Sequence, residues 1–359
     1  MLLFSFAGLL CLTGCAAGLK EGAKGNVSDL RVAVYPVENL SGTPAPLKEI
    51  RGSLIDTIKS MGFQLLDEDL LQKFMARHRI RYTGGLDGET AKAFKDETGV
   101  GAVLVTSVSL YSPTDPPKFG LTSRLVSTGE KPEILWMDSV SLAGDDSPGI
   151  LGLGMIEDPK LLREKAVRLL GQSLVRSFLG EKNTEGASGK FRPRVSFRSP
   201  AFDPKRRYTV AVVPFFNRSD RKNAAEMLAL LFVQHLRDAG NISVIEPGLI
   251  REVFLESRLI MDQGLSLPNA EIIFKYLDAD LILTGYVMNY QDYQGTFGKP
   301  KVDFFVSLLE SKSKEVVWSS NSYNEGDDGV FFFDFGRVNT AGSMASQMTR
   351  SVVTEMVTK

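Results

Sequence analysis

Apolar positions along the chain follow two periods, and these predict a regular succession of strands and helices. Continuous apolar runs at 31–36 and 208–215 are typical of buried strands. Helical spacing follows each run, at 47–60 and 222–239. The pattern then predicts a short strand, two helices, three successive strands and a closing helix. In the first half these are a strand at 63–66, helices at 68–78 and 88–98, strands at 101–111, 119–127 and 134–142, and a helix at 159–179. In the second half they are a strand at 242–246, helices at 247–258 and 268–277, strands at 280–290, 301–310 and 314–323, and a helix at 338–357.

The two halves of the chain repeat one pattern. RVAVYPVENLSG at 31–42 aligns with TVAVVPFFNRSD at 209–220. Trp136 and Trp318 occupy matching strands, and a Gly-Asp-Asp follows each. We expect them to be core anchors, and the alternative is a partner-facing aromatic hot spot. The order β-α-β-α-α-β-β-β-α predicts an α/β (α+β) fold of two tandem mixed-sheet domains. In each, a crossover helix joins the first parallel strands, and the last three strands form an antiparallel meander.

The domain boundaries follow from the repeat. Residues 31–180 form the first copy and residues 208–359 the second. The segment 181–207 is rich in Gly, Ser, Pro and charge, and is predicted to be a basic, flexible linker. It is interpreted either as solvated or as a contact for anionic lipid head groups or cell-wall polymers. Its candidate partner-binding residues are Arg192, Arg194, Arg206 and Arg207.

The amino terminus has the features of a lipoprotein signal peptide over residues 1–14. The apolar run 2–12 is too short to span a membrane and ends in Leu-Thr-Gly-Cys15, which resembles the bacterial lipobox. We therefore expect lipidation (palmitate) on Cys15, a tether over 15–30, and membrane attachment through the lipid. Ala16 favours the outer membrane. The run has no preceding Lys or Arg, and a plain secretory signal or a buried apolar segment are the alternatives.

Composition limits the chemistry that the chain can perform. The 42 Lys and Arg against 43 Asp and Glu give a net charge of −1, which argues against a nucleic-acid partner. The chain has two His and two Cys, and His78 lies far from His235, so a His/Cys metal site is not expected. Adjacent carboxylates such as Asp145 and Asp146 do not by themselves make a catalytic dyad. We expect a non-enzymatic protein without cofactor or metal.

An apolar loop near the carboxyl terminus is the second candidate partner-binding site. Residues 329–335 read GVFFFDF, with Phe331, Phe332 and Phe333 in succession. These side chains are expected either to pack beneath the closing helix or to form a docking surface for a partner or a second subunit. The second interpretation would make the protein a homo-oligomer.

The repeated unit resembles a known superfamily of envelope proteins. The strings VAVVPFFNRS, VIE and ADLILTGYV within residues 209–290 are similar to the amino-terminal domain of TolB, to the curli-secretion lipoprotein (CsgG) family and to the lipoprotein activators of penicillin-binding proteins. The resemblance is weaker in the first copy. It implies a periplasmic, lipid-anchored scaffold or assembly factor that binds envelope proteins in an assembly or export complex.

Two other roles follow from the same resemblance. An activator of a peptidoglycan synthase would normally use a long tether, whereas residues 16–30 are few. A pore-forming secretion lipoprotein would need extra transmembrane hairpins. The gaps 112–118, 128–133 and 291–300 are too short to supply them, so the pore-forming role is disfavoured.

Overall fold

The computed structural model describes residues 30–146, 154–181, 189–261, 264–293, 295, 298–330 and 336–358. The first half contains β1 (Arg31–Val34), β2 (Glu38–Asn39), α1 (Leu47–Ser60), β3 (Gln64–Leu65), α2 (Glu68–Arg77), α3 (Gly88–Thr98), β4 (Ala102–Ser112), β5 (Lys118–Ser127), β6 (Ile134–Ala143) and α4 (Pro159–Phe178). The second contains β7 (Val195–Arg198), β8 (Tyr208–Val212), β9 (Phe216–Asn217), α5 (Ala224–Asp238), β10 (Ile242–Val244), α6 (Pro247–Glu256), α7 (Leu267–Leu277), β11 (Leu281–Gln291), β12 (Lys301–Glu310), β13 (Val316–Glu325) and α8 (Ala341–Thr358).

The strands form two mixed sheets, as the sequence predicted. The first sheet has the order β3-β1-β4-β5-β6, and the second has the order β10-β8-β11-β12-β13-β7. The first three strands of each order pair in parallel, and the meander that follows is antiparallel. The predicted fold class, two tandem α+β domains with mixed sheets, is confirmed.

Three strands were not expected from the sequence. The short strands β2 and β9 extend the parallel part of each sheet by pairing with β4 and β11. Within the predicted linker, Val195–Arg198 forms β7 and pairs antiparallel with β13. The edge of β13 carries unpaired backbone groups, and an extended segment satisfies them. This part of the linker is therefore ordered against the second sheet, while 182–188 lies outside the described residues.

Local side chains determine where several helices begin. Asp67, Asp87, Asp158 and Ser266 each accept a hydrogen bond from a backbone N–H in the first turn of the helix that follows. Proline occupies the first turn of α4, α6 and α7, where its missing N–H leaves no bond unmade. No helix among the described residues is both long enough and apolar enough to cross a membrane.

Helices pack on both faces of each sheet, and each face has its own apolar core. Helices α1 and α4 cover one face of the first sheet, and α2 and α3 cover the other. In the second sheet, α5 and α8 take the place of α1 and α4, and α6 and α7 take the place of α2 and α3. Trp136 and Trp318 are both buried in the α1/α4 and α5/α8 cores, which confirms their predicted role as core anchors.

The two Gly-Asp-Asp sequences form the same turn in both copies. The carboxylate of Asp146 accepts a bond from the N–H of Ala143 at 2.8 Å, and that of Asp328 accepts from the N–H of Glu325 at 3.1 Å. Gly144 and Gly326 then approach the backbone of the segment that leads to the closing helix. These residues therefore close a turn after the third meander strand, which is a structural role.

The Gly326→Ala variant tests how tightly this turn is packed. An added Cβ would meet the carbonyl oxygen of Val338 and lie 2.6 Å from Cδ of Pro300, so we expect a clear fall in the urea midpoint. Gly52→Ala is the matched control, because it lies in α1 with nothing within 4 Å of the new Cβ. Alanine there should raise the free energy of unfolding by up to about 1 kcal/mol. Equal effects of the two variants would contradict this account.

Candidate functional site

The two copies pack against each other, and we call this contact the junction. Strands β5 and β6 of the first sheet face helices α5 and α8 of the second copy. Leu40 and Met137 of the first copy belong to the same apolar cluster as Leu231. At the edge of β6, the guanidinium of Arg237 donates to the carbonyl oxygens of residues 134 and 135. Arg237 of α5 thus satisfies two backbone carbonyl groups at the start of the β6 edge.

A buried ion pair joins the copies on one side of the junction. Arg124 projects from β5, and Glu246 precedes α6; each residue is 1% exposed. Nε and Nη2 of Arg124 lie 3.0 and 2.9 Å from the two carboxylate oxygens, which is a bidentate geometry. Nη2 also donates to the carbonyl oxygen of Gly84 at 2.5 Å. The desolvation of both charges is offset only because these bonds are made.

Glu246 has further roles at the same point. Its side chain accepts a bond from the N–H of Gly248, which caps the first turn of α6. The N–H of Leu86, in the first copy, donates to the same carboxylate oxygen at 3.3 Å. One carboxylate therefore fixes the start of a helix, the guanidinium of Arg124 and a loop of the other copy.

Glycines allow the two backbones to meet beside this ion pair. A Cβ added at Gly85 would lie 2.9 Å from Cα of Gly248, and a Cβ at Gly248 would overlap the backbone of Leu86. Residues with side chains would hold the copies apart. The N–H of Gly88 then donates to the carboxylate of Glu252 at 3.1 Å, which continues the contact along α6.

More ionisable groups surround the pair, and together we call them the junction cluster: Glu38, Tyr82 and Arg124 from the first copy, and Glu226, Glu246 and Arg251 from the second. The guanidinium of Arg251 lies 4.1 Å from the centroid of the Tyr82 ring. Glu38 accepts a bond from the hydroxyl of Ser107 at 2.8 Å. Burial, with a smaller contribution from Glu38, raises the pKa of Glu226 to about 7. The cluster is thus a site where protonation near neutral pH changes the charge between the copies.

A second polar contact lies at the far side of the junction. Nζ of Lys118 donates to the carbonyl oxygen of Tyr293 at 2.8 Å and lies 3.2 Å from the centroid of that ring. The carboxylate of Asp292 accepts from the N–H of Ala341, which starts α8, and lies 3.8 Å from Arg221. Burial lowers the pKa of Lys118 and raises that of Asp292. The first copy therefore contacts the loop that starts the closing helix of the second.

Between these two contacts the copies leave a cleft of about 580 Å³. One wall is the first sheet, with the hydroxyls of Ser107, Thr122 and Ser139. The other wall is formed by α5 and α8, with Gln234 bonded across to Ser139 at 2.7 Å. This volume is within the range of small-ligand pockets. Besides hydroxyl and amide groups, the lining includes apolar side chains and the charged residues Asp138, Arg176 and Arg350. The cleft is therefore suited to binding a polar ligand.

A Ser-His pair borders the cleft. Oγ of Ser346 lies 3.1 Å from Nε2 of His235. Burial, with a smaller effect of Arg350, lowers the pKa of His235 to about 3. A general base works best when its pKa is near the operating pH, so this imidazole is poorly suited to activate the serine. The pair satisfies the hydrogen-bonding needs of a buried histidine.

The residues that the sequence singled out do not come together in the described part of the chain. Cys15 and the three phenylalanines Phe331, Phe332 and Phe333 lie outside the described residues. Arg194 contacts the carbonyl oxygen of Tyr323, at one end of β13. Arg206 pairs with Asp280 at 3.3 Å, at the opposite end of the second sheet. Arg192 and Arg207 are exposed. The four arginines therefore do not share one patch.

The sequence interpretation missed the junction, although it contained a signal. Arg124 is one of two charges, with Lys118, within the strand KFGLTSRLVS, whose residues are almost all buried. A charge at such a position needs a buried partner. Glu246 was visible only as the residue before Pro247 at a helix start. Pairing the two residues requires knowing how the copies pack, which periodicity within one copy does not determine.

Comparisons with known proteins give similarity of fold only. The chain matches no protein-family model and no curated protein. It is similar to the PelC dodecamer subunit from Paraburkholderia phytofirmans, at 17% identity and a TM-score of 0.32, over 46% of this chain and 96% of that one. It is similar to lipoprotein GNA1162 from Neisseria meningitidis, at 17% identity and a TM-score of 0.31, over 42% and 99%. The LpoB C-terminal domain from Escherichia coli matches at 16% identity and a TM-score of 0.25, over 33% and 84%. These matches do not assign the chain to the superfamily that its motifs resemble.

The Arg124→Met variant tests the buried ion pair. It leaves the carboxylate of Glu246 buried without its cation, so we expect a loss of about 3–5 kcal/mol in the free energy of unfolding, measured by urea denaturation. The double variant Arg124→Met/Glu246→Gln should recover part of this loss, because the amide is neutral and can still accept from the N–H of Leu86. Arg163→Met removes a half-exposed pair with Glu49 and should cost about 1 kcal/mol or less. A double variant less stable than Arg124→Met would contradict this account.

A second prediction concerns the pH dependence of stability. The pKa of Glu226 is raised from 4.5 to about 7 in the folded protein, so the folded state binds the proton more tightly than the unfolded state. This carboxyl therefore lowers stability as pH rises from about 5 to 7. Glu226→Gln should raise the urea midpoint at pH 8 relative to wild type and change it little at pH 4.5. The exposed Glu49→Gln is the control, and an identical pH profile for wild type and Glu226→Gln would contradict the prediction.

Proposed function

We propose that this protein is a lipid-anchored, non-enzymatic scaffold of the cell envelope that binds other proteins. The anchor rests on the sequence ending in Cys15, and the outer membrane is favoured by Ala16. The scaffold role rests on the junction. The periplasmic location and the assembly or export complex belong to the same proposal.

The observation that carries the scaffold role is that the two copies form one body. Three contacts fix their relative position: the buried ion pair of Arg124 and Glu246, the backbone contact of Gly85 with Gly248, and the bonds from Arg237 to the edge of β6. Buried ionic groups tolerate little displacement, because a shifted partner leaves a desolvated charge. A body of this kind presents surfaces from both copies at constant spacing, which is what a binding scaffold requires.

The proposed absence of catalysis is supported by the chemistry of the cleft. The hydroxyl of Ser139 and the carboxylate of Asp138 are both bonded to the amide of Gln234 across the junction, and burial lowers the pKa of the neighbouring His235 to about 3. Within the described ranges, no three His, Cys, Asp or Glu residues converge in a way that could hold a metal ion. The arrangement favours hydrogen-bonded recognition over proton transfer.

Palmitate labelling in bacterial cells tests the anchor. We expect label on the wild-type chain and none on Cys15→Ala, because the thiol of that residue is the proposed acceptor of the lipid. Cys11→Ala is the matched control: it should retain the label, since Cys11 lies in the segment proposed to be removed. Equal labelling of wild type and Cys15→Ala would rule out lipidation at this cysteine.

Site-specific photo-crosslinking tests the binding role. A photoreactive residue at Arg176, an exposed residue at the cleft, should give an adduct of defined mass with an envelope protein. The same residue at Lys92, on the exposed side of α3, serves as the control. Adducts of the same pattern from both positions, or none from either, would contradict binding at the cleft.

A further inference from the structure

Two buried hydroxyls at the cleft between the copies have no partner in the described part of the chain. Thr122 of β5 and Tyr290 of β11 line the cleft and are 7% and 3% exposed. Neither hydroxyl makes a hydrogen bond to a described residue, and both keep access to the space of the cleft. Buried hydroxyls are nearly always bonded to protein or to a bound molecule. These two groups therefore indicate that an occupant of the cleft completes their hydrogen bonds.

Two glycines leave room for further hydroxyls at the same place. A Cβ added at Gly120 of β5 would lie 2.7 Å from Oγ of Ser109 and 3.1 Å from Oγ of Ser141. A Cβ added at Gly342 of α8 would lie 2.7 Å from the same Oγ of Ser141 and 3.6 Å from the hydroxyl oxygen of Tyr290. All of these residues line the cleft or pack against its floor. The hydroxyls of both copies thus converge on one recess.

The wall formed by α5 has a different character. Met227, Leu230 and Leu231 line the cleft there and are apolar. A ligand held between the walls must therefore present hydrogen-bonding groups on one side and C–H groups on another. A pyranose ring has this distribution, because its hydroxyls project around the edge of the ring and its faces expose C–H groups. Pockets that combine apolar contact with a few placed polar groups recognise small ligands in this way.

The distribution of charge favours a neutral ligand. The charged lining residues Asp138, Arg176 and Arg350 are half-buried or exposed, whereas Thr122 and Tyr290 on the floor are buried and neutral. The carboxylate of Asp138 already accepts a bond from the amide of Gln234 at 2.9 Å. An ionised ligand group placed on the floor would lose its water without gaining a counter-charge. Hydroxyls both donate and accept, so a floor of hydroxyls is complementary to a ligand whose groups do the same.

We propose that the cleft binds a neutral saccharide of one or two sugar rings. Its volume of about 580 Å³ is within the range of small-ligand pockets. The ring hydroxyls bond to Thr122 of the first copy and to Tyr290 of the second, so the site is complete only when both copies are present. The C–H face of the ring packs on α5. This assignment goes beyond the protein-binding role proposed above and does not depend on it.

Saturation-transfer NMR on the purified full chain tests saccharide binding directly. The protein is kept in a detergent without a sugar head group, and the probes are glucose, galactose, mannose, N-acetylglucosamine, cellobiose and chitobiose. We expect transfer to the ring protons of at least one of these neutral sugars, and weaker transfer to glucuronate. No transfer to any neutral probe would overturn the proposal and leave water as the occupant. Transfer to glucuronate alone would overturn it in favour of an anion site.

A pair of isosteric variants separates binding from folding. Tyr290→Phe/Thr122→Val removes two hydroxyls, so the dissociation constant of the best neutral probe should weaken about tenfold or more. The urea midpoint should not fall, because neither hydroxyl has a protein partner. Thr106→Val is the matched control: its Oγ1 lies 2.8 Å from Oγ of Ser123, and it points to the opposite face of β4 from Ser107.

The control should lower the urea midpoint and leave the dissociation constant unchanged. An unchanged dissociation constant in the double variant would overturn the proposal, and so would an equal weakening in Thr106→Val.

Discussion

The buried pair of Arg124 and Glu246 is the constraint on which the arrangement of the chain depends. Two charges removed from water are tolerated only when every polar atom around them is satisfied. The carboxylate meets this condition by accepting bonds from the guanidinium, from the N–H of Leu86 and from the N–H of Gly248. These donors come from three different segments in two copies. A displacement of one copy against the other would break the bonds from the guanidinium and from the N–H of Leu86 together.

This constraint explains why two copies of one fold carry different surfaces. Their cores are matched position by position: Ile50, Leu54 and Ile58 of α1 correspond to apolar residues at the same spacing in α5. The outer faces of the two helices differ, because α5 packs against its own sheet on one side and against the first copy on the other. Most residues of α5 are buried, whereas α1 buries one row of side chains and exposes the others to solvent. The internal packing has thus been kept in both copies, and the outer surfaces follow what each copy touches.

The sequence contained enough to predict the fold of each copy, since strand and helix periods and the internal alignment depend on contacts within one unit. Trp136, Trp318 and the turn at Asn39 and Ser41 are examples of positions whose neighbours are local in the fold. The junction could not be predicted in the same way. Arg124 and Glu246 are 122 residues apart, and their pairing depends on the relative placement of two units. For the same reason the sequence did not predict β7 within the linker. This strand pairs with the edge of β13, which exists only once the second sheet has folded.

The cleft follows from the junction and does not belong to either copy alone. One wall consists of strands of the first sheet and the other of helices of the second copy, and the bond between Ser139 and Gln234 crosses from one wall to the other. Its width is therefore set by the ion pair on one side and by Lys118 against Tyr293 on the other. A chain with a single copy could have the same sheet and the same helices and would still lack this site. The smallest unit that contains the cleft is thus the pair of copies.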